Sequence, residues 1–346
     1  MQKIEIINPI TYPGWDDLII SGPDYSFFHS SSWARVLSES YNYHPLYFTT
    51  LEDGRLLSLI PVMEIESILT GRRGVSLPFS DYCEPIEVDR AHLRNTFTRI
   101  VEYGKKRKWK YLEIRGGKNF NEHFSPWVTY YHHTLDLSED SGHIFSNFRD
   151  STRRNIKKAM KEGVKVKIEN SPASVKEFYQ LNCLTRRYHG LPPQPFVFFK
   201  NIYEHVLSKG LGLILLASNG ELKIAGAIFF HYGDRAIYKY GASNRLYQHL
   251  RPNNLLMWKA IKWYCQNGYK SISFGRTDPE DRGLLQFKSG WRPREEIIEY
   301  YKYNLTKETF TNGRPKALAF SSKKVLGILP ASLLKIIGVL LYRHIG

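Results

Sequence analysis

Cysteine is scarce in this 346-residue chain, and what there is cannot build a framework. Cys83, Cys183 and Cys265 are odd in number, far apart and form no CxxC pair. That excludes a disulfide-stapled scaffold and a structural zinc site, and it fits reduced thiols in a cytosolic protein. The N-terminal stretch MQKIEIINPITYPGWDD has no continuous apolar run, so no cleaved secretion signal is expected. No Ser-His-Asp or Cys-His arrangement is evident, which argues against a covalent acyl-enzyme. Acidic residues are also short: 33 Asp+Glu face 49 Lys+Arg, leaving a formal charge of +16. Such an excess favours anionic partners, whether phosphates, nucleic acid or an acidic membrane surface, and says little about fold.

What is present points to two α/β units. The stretch Tyr240–Trp291 reads as a strand end, a polar loop, a helix, a strand and a charged loop. Pro252 suits a first helical turn. Leu256, Met257, Ala260, Ile261 and Tyr264 make one apolar helix face. Gly268 is a fitting stop, and Ser271–Phe274 alternates as a strand. A helix between two strands implies a crossover and one parallel pair. The loops before the helix and after the second strand then share one end of the sheet, where a ligand belongs.

In the first half, a helix is expected over Ser32–Tyr41, capped by the serine run. A hairpin is expected around Glu52-Asp53-Gly54, a helix over Leu93–Lys106 and a strand over Tyr111–Arg115. Gly71–Ile86 reads as a loop lining a cleft, with Arg72, Arg73 and Asp81, or alternatively as an edge strand with a rigid proline turn. Aligning Lys110 with Lys270 superposes RKWKYLEIRGG on NGYKSISFGRT, so the two halves read as copies of one unit.

In the second half, one helix is expected over Ile144–Lys161. Its broad basic face, with Arg153 and Arg154, is either solvated or a phosphate site, since like charges at i,i+4 repel unless an anion meets them. Helices at Ser174–Tyr188 and Phe196–Ser208 flank a rigid turn presenting Tyr188 and His189. Three antiparallel strands follow at Leu211–Ala217, Leu222–His231 and Ala236–Ala242, and a last strand at Ile297–Tyr303.

This order is that of the Gcn5-related N-acetyltransferase (GNAT) fold. Over about residues 25–303 the chain resembles the FemAB (FemABX) family of peptidoglycan aminoacyltransferases and their surface-polysaccharide relatives. The resemblance rests on GRRGVSLPFSDY, STRRNIKKAMKEGVKV, RRYHGLPPQP, YGASN, RPNNLLMWKAIKW and GLLQFKSGW. It implies tandem GNAT-like domains with mixed, mostly antiparallel sheets: 1–140, 141–312, and an apolar, basic tail at 313–346. It also implies transfer of an acyl or aminoacyl group to an amine of a phosphate-bearing cell-envelope precursor, nucleotide- or lipid-linked. The donor is aminoacyl-tRNA or acyl-coenzyme A, and no cofactor is covalently bound. Three departures matter. The loop Gln248–Asn253 lacks the glycines that cradle a coenzyme A pyrophosphate, and Pro252 removes an N–H there. The family's lysine shortly after Trp33 is absent, Arg35 standing in that region instead. Nor does the sequence carry the long helical hairpin insertion that some members use for tRNA.

The expected site follows. Lys288, beside Phe287, borders the reacting groups in the family; an ammonium there could serve a developing oxyanion or a phosphate. Its replacement by methionine is expected to cost turnover and leave the melting temperature unchanged. The alternative is a surface lysine on an edge strand. Asp81 and Asp278 are candidate proton acceptors, or else loop carboxylates paired with Arg72 and Arg276. Tyr240, Asn253 and Arg276 complete the substrate-binding set. The tail Val325–Tyr342, with basic flanks including Lys323 and Lys324, is expected to lie in the interface of an anionic membrane at its cytoplasmic face, or to pack on the second domain. Two other functions stay open: a coenzyme A-dependent N-acetyltransferase on an amino sugar, and a non-catalytic RNA-binding protein, although no standard RNA-binding signature is present.

Overall fold

In a computed structural model, residues 3–22, 24–87, 90–117, 125–137, 140–313 and 326–346 are described. The chain runs β1 (Ile4–Ile7), α1 (Trp15–Ile20), α2 (Ser31–Tyr41), β2 (His44–Glu52), β3 (Arg55–Ile65), β4 (Arg73–Val75), β5 (Ile86–Glu87), α3 (Arg90–Lys106), β6 (Tyr111–Arg115) and β7 (Val128–Asp136). Next come α4 (Ser141–Asn147), α5 (Asp150–Lys161), β8 (Lys165–Ile168), α6 (Pro172–Tyr188), α7 (Phe196–Ile202), β9 (Gly212–Asn219), β10 (Leu222–Tyr232) and β11 (Arg235–Ser243). The chain closes with α8 (Pro252–Gln266), β12 (Ser271–Thr277), α9 (Arg282–Ser289), β13 (Arg294–Asn304), β14 (Thr309–Phe310) and α10 (Ala331–Ile345).

Two compact units result. The first comprises Met1–Tyr131, Ile297–Ala317 and Leu341–Gly346; the second, His132–Glu296 and Leu318–Leu340. In the first, strands follow the order β1-β2-β3-β4-β6-β13. Ser30 caps α2 by accepting from the Trp33 N–H at 3.2 Å. The β2–β3 turn places Asp53 and Gly54 at positive φ, the conformation a tight hairpin demands. β4 lies between β3 and β6, so it is not an edge strand. β4 and β6 are parallel and joined through α3. Leu93 and Ile100 of α3 pack over Phe48, Ile60, Leu112 and Ile114. Trp109 fills the space where Gly74 has no side chain.

In the second unit the order is β12-β11-β10-β9-β8. β9, β10 and β11 form an antiparallel meander, and β12 is parallel to β11 through α8. The same strand–helix–strand crossover therefore occurs in each unit, as the aligned segments around Lys110 and Lys270 anticipated. Leu255, Leu256, Ala260 and Ile261 of α8 pack on Leu215, Ala225, Ala227 and Phe229. All three cysteines are buried thiols, none of them in a disulfide.

Two expectations are corrected. The helix over Ile144–Lys161 is two helices, because Phe148 turns extended (ψ 153°) to bury its ring against Trp258 and Trp291. GLLQFKSG is neither loop nor strand but α9, its N-terminus capped by Asp281 accepting from the Leu284 N–H at 3.0 Å. The first turns of α10 pack within the second unit, which is the alternative expected for the tail. Leu334 of α10 is buried, and Gly338 meets the Pro193 carbonyl where any side chain would clash. In the first unit Tyr43 donates to the Tyr342 carbonyl at 3.0 Å, and the buried Arg73 donates to the His344 carbonyl at 2.7 Å. A guanidinium at a helix C-terminus meets the negative end of its dipole. The outer face of α10 nevertheless stays open to solvent. Lys323, Lys324 and Val325 lie outside the described residues. No described helix is long and apolar enough to cross a membrane.

Candidate active site

The site is built where β11 and β12 part. These parallel strands pair only between Arg235–Ile237 and Ser271–Ser273. Two features spread them. β11 carries a bulge at Lys239, since Ile228 faces Tyr240 while Phe229 faces Tyr238, and a bulge increases local twist. On β12, Gly275 adopts φ +68°, open to glycine at no steric cost. Beyond the split β11 runs on to Ser243 and β12 to Thr277. Gly241 is obligatory here, because the Tyr238 hydroxyl occupies the place of a Cβ. Burial pushes that hydroxyl's pKa up to about 12.

Around the β11 end, the Thr185 hydroxyl donates to the Ser243 carbonyl at 3.2 Å and accepts its N–H at 3.0 Å. This ties the end of α6, and with it Tyr188 and His189, to the strand. Both are exposed; Arg245 lies 4.1 Å over the Tyr188 ring, and His189 is the residue after the last helical one. Tyr240 is half-buried and packs edge-on against Phe198 and Phe199. Asn253, in the first turn of α8, donates to the Ser243 hydroxyl at 3.4 Å. It also lines a crevice with Tyr238, Phe229 and Met257. The crevice is too tight to admit even a water-sized group as it stands.

Around the β12 end, Lys288 is only 2% exposed. Its Nζ donates to the carbonyls of Gly275 at 2.9 Å and Arg276 at 3.1 Å. The lysine is therefore not on a surface strand. It is a buried cation that holds the splayed end of β12, and its loss must also affect stability. Phe287 packs edge-on against Trp291 at 5.9 Å and fixes the direction of α9. Asp278 is half-buried, one carboxylate oxygen accepting the Glu280 N–H at 3.1 Å. The buried Thr277 hydroxyl has no hydrogen-bond partner among the described residues, as expected of a group that meets a ligand.

Two histidines escaped sequence reading. His132 Nε2 lies 2.7 Å from the Ser273 hydroxyl, which accepts the Gly275 N–H at 3.0 Å. The buried His133 lies 3.0 Å from Glu295. Its pKa is lowered, first by burial and then by the Lys288 charge, against the raising effect of Glu295. The only signal was the pair His132-His133 in a strand, which sends successive side chains to opposite faces.

The basic helix α5 begins beside α9: the Arg149 N–H donates to the Gly290 carbonyl at 3.0 Å, and Thr152 fills the place of a side chain at Gly290. Arg153 pairs with Asp150, while Arg154 is exposed. Arg153, then Arg154 and Arg292, hold the Asp150 carboxyl below its ordinary range. Cations thus outnumber carboxylates at this corner.

The first unit carries the remaining candidates. Asp81 sits in a loop where Leu77 (φ +52°) and Phe79 (φ +59°) are both left-handed. Such conformations cost about 1–3 kcal/mol each and persist only where surroundings impose them. Here the Ser80 hydroxyl donates to the Leu77 carbonyl at 2.6 Å and Tyr300 donates to the Asp81 carbonyl at 2.5 Å. Arg72 is exposed and pairs with Glu66 at 3.1 Å. Arg73, anchoring α10, is buried away from solvent.

Comparison with known proteins fits this geometry. Residues 146–289 match the acetyltransferase (GNAT) domain family. A tandem GNAT protein from the clavulanic acid biosynthesis pathway superposes with a TM-score of 0.54, covering 88% of this chain and 99% of that one at 8% identity. The fold is a tandem GNAT fold. The crystal structure of FemX matches with a TM-score of 0.66 over 89% of this chain and 98% of that one, at 15% identity. A lipid II:glycine glycyltransferase of Staphylococcus haemolyticus is 22% identical over 259 residues, which cover 50% of this chain and 61% of that protein. The chain thus spans about three fifths of that curated relative. The FemAB resemblance read from the motifs is borne out by these matches.

Proposed function

We propose that this GNAT-fold chain transfers an acyl or aminoacyl group to an amine of a lipid-linked cell-envelope precursor at the inner face of the membrane. The observation that carries the reading is the parting of β11 and β12 beside the buried Lys288. The relative's named substrate, lipid II, supplies the acceptor class. The unprotonated amine attacks the acyl carbonyl carbon, forming the C–N bond and an oxyanion. Collapse of the tetrahedral intermediate breaks the bond to the donor, and the proton lost by the amine passes through a carboxylate to the leaving oxygen or sulfur. Asp278, just beyond the end of β12, is the carboxylate assigned to this proton. Lys288 supplies the positive field that favours the oxyanion while it holds the β12 backbone in place. Arg153 and Arg154 suit the precursor's phosphates.

Aminoacyl-tRNA is the donor we favour. α8 opens on Pro252, preceded by Arg251 at φ +58°, so its first turn lacks one of the N–H groups that would cradle a pyrophosphate. Coenzyme A-dependent N-acetylation of an amino sugar is the second reading, favoured by the acetyltransferase family match. The deciding experiment incubates the purified chain with a lipid-linked muropeptide, offering glycyl-tRNA or acetyl-coenzyme A, and weighs the product by mass spectrometry. An aminoacyl adduct supports the first reading, an acetyl adduct on an amino sugar the second. No adduct on any amine acceptor overturns both.

A further inference from the structure

The outer face of α10 is apolar and uncovered. Leu333 is 41% exposed, Ile336 58%, Val339 56% and Leu340 61%. At 100° per residue these four fall within one third of the helix circumference. The opposite face is spoken for, with Leu334 buried and Gly338 seated on the Pro193 carbonyl. The helix therefore cannot rotate to hide its aliphatic side. Lys335 lies 5.6 Å over the Tyr179 ring, which packs against Phe196 at 5.1 Å, and Phe196 and its neighbour Val197 are themselves exposed. Apolar surface thus continues from α10 onto the start of α7.

Charge selects the occupant. From Thr309 to Gly346 the sequence contains no Asp or Glu, whereas Arg314, Lys316, Lys323, Lys324, Lys335 and Arg343 are all basic. An aliphatic helix face in a segment whose charged side chains are all basic is matched by a surface that is apolar beneath and anionic on top. The described helix is too short to span a bilayer, and its fixed inner face leaves only an in-plane orientation. We propose that the outer face of α10 docks this chain on an anionic phospholipid bilayer. This extends the proposed function, whose acceptor is lipid-linked. It is independently testable, because vesicle binding requires neither donor nor acceptor.

The experiment is co-sedimentation of the full chain with vesicles of mixed phosphatidylglycerol and phosphatidylcholine, and with pure phosphatidylcholine. The full chain should bind the mixed vesicles more tightly than the neutral ones, less so as salt rises. Ile336→Asp with Leu340→Asp should weaken binding at least ~100-fold, from the apolar area withheld from lipid and the added charge. Its melting temperature should hold, since both positions face solvent. Arg343→Glu should weaken binding to the mixed vesicles alone, by about tenfold. No binding by the full chain, or parental binding by the double variant, would overturn the proposal. So would a concentration-dependent dimer that the double variant abolishes while vesicles are ignored, since the face would then meet a second copy.

Discussion

Replacing Lys288 by methionine separates what this lysine does for the fold from what it does for the chemistry. Methionine keeps most of the stem, so little cavity is created. What is lost is an ammonium donating to the Gly275 and Arg276 carbonyls at 2.9 and 3.1 Å. A hydrogen bond from a charged donor contributes about 1.5–3 kcal/mol, so the two together contribute about 3–6 kcal/mol. Against this, the variant no longer buries a charge, which returns a few kcal/mol. A net loss of about 2–3 kcal/mol follows, or a fall of about 5–10 °C in a unit of this size. Differential scanning calorimetry at neutral pH reads it directly. Turnover is then measured far below that melting point, where the variant is fully folded. There kcat/KM should still fall about 100-fold or more, equivalent to about 2.7 kcal/mol of transition-state stabilisation. A variant that melts within about 1 °C of the parent would refute the clamp on β12. One that turns over within about threefold would remove Lys288 from the reaction.

Other outcomes follow from the same contacts. Gly338→Ala should gain about 1 kcal/mol of helix propensity yet lose more by pushing α10 off the Pro193 carbonyl, for a net loss of about 1–3 kcal/mol and faster proteolysis of the tail; a raised melting temperature would contradict the packing. His29 is fully buried, accepts the Ser26 N–H at Nδ1 and lies 2.8 Å from the Glu84 carbonyl through Nε2, and burial lowers its pKa from 6.5 to about 4. Because the unfolded chain takes up this proton first, stability should fall as pH drops from about 6.5 to 4, by about 3 kcal/mol. Urea unfolding at pH 7 and 4 should show that loss shrinking in His29→Gln; equal pH slopes would exclude His29 as its source. Arg153→Ala with Arg154→Ala should weaken binding of a pyrophosphate-bearing precursor about tenfold and flatten its salt dependence, and calorimetric titration showing unchanged affinity would return α5 to a solvated face.

Much of the fold was legible because local patterns and global architecture agree. The periodic apolar face of α8, its opening proline and the alternation of β12 each report a local preference, and together they imply the parallel crossover that the β11–β12 register shows. α9 was not legible. A short helix carrying Gly283 near its start has little intrinsic propensity, and it holds its shape through Asp281 at its N-terminus and Trp291 against Phe287. The break between α4 and α5 was hidden for a related reason. Residues 144–161 are acceptable helix formers, and only the burial of Phe148 against Trp258 and Trp291 outweighs the helical hydrogen bonds given up there.

For the candidate site, residue chemistry singled out Lys288, Asp278, Asn253 and the basic helix, and the repeated strand–helix–strand order located them at one end of a sheet. Whether a given cation is offered to a ligand or spent on the fold is a different matter. Arg72 and Arg73 are adjacent and chemically alike, yet one is exposed beside Glu66 and the other is buried under the last turn of α10. Strand alternation alone sends them to opposite faces; which face is solvent depends on what covers it. The sequence by itself determined most of the elements, the tandem repeat and the basic, acid-free tail, because these follow from local spacing and composition. Only the tertiary structure decided that Lys288 is buried, that His132 meets Ser273 while His133 feels the Lys288 charge, and that α10 shows one face to solvent, because burial and partnership depend on residues far apart in the chain.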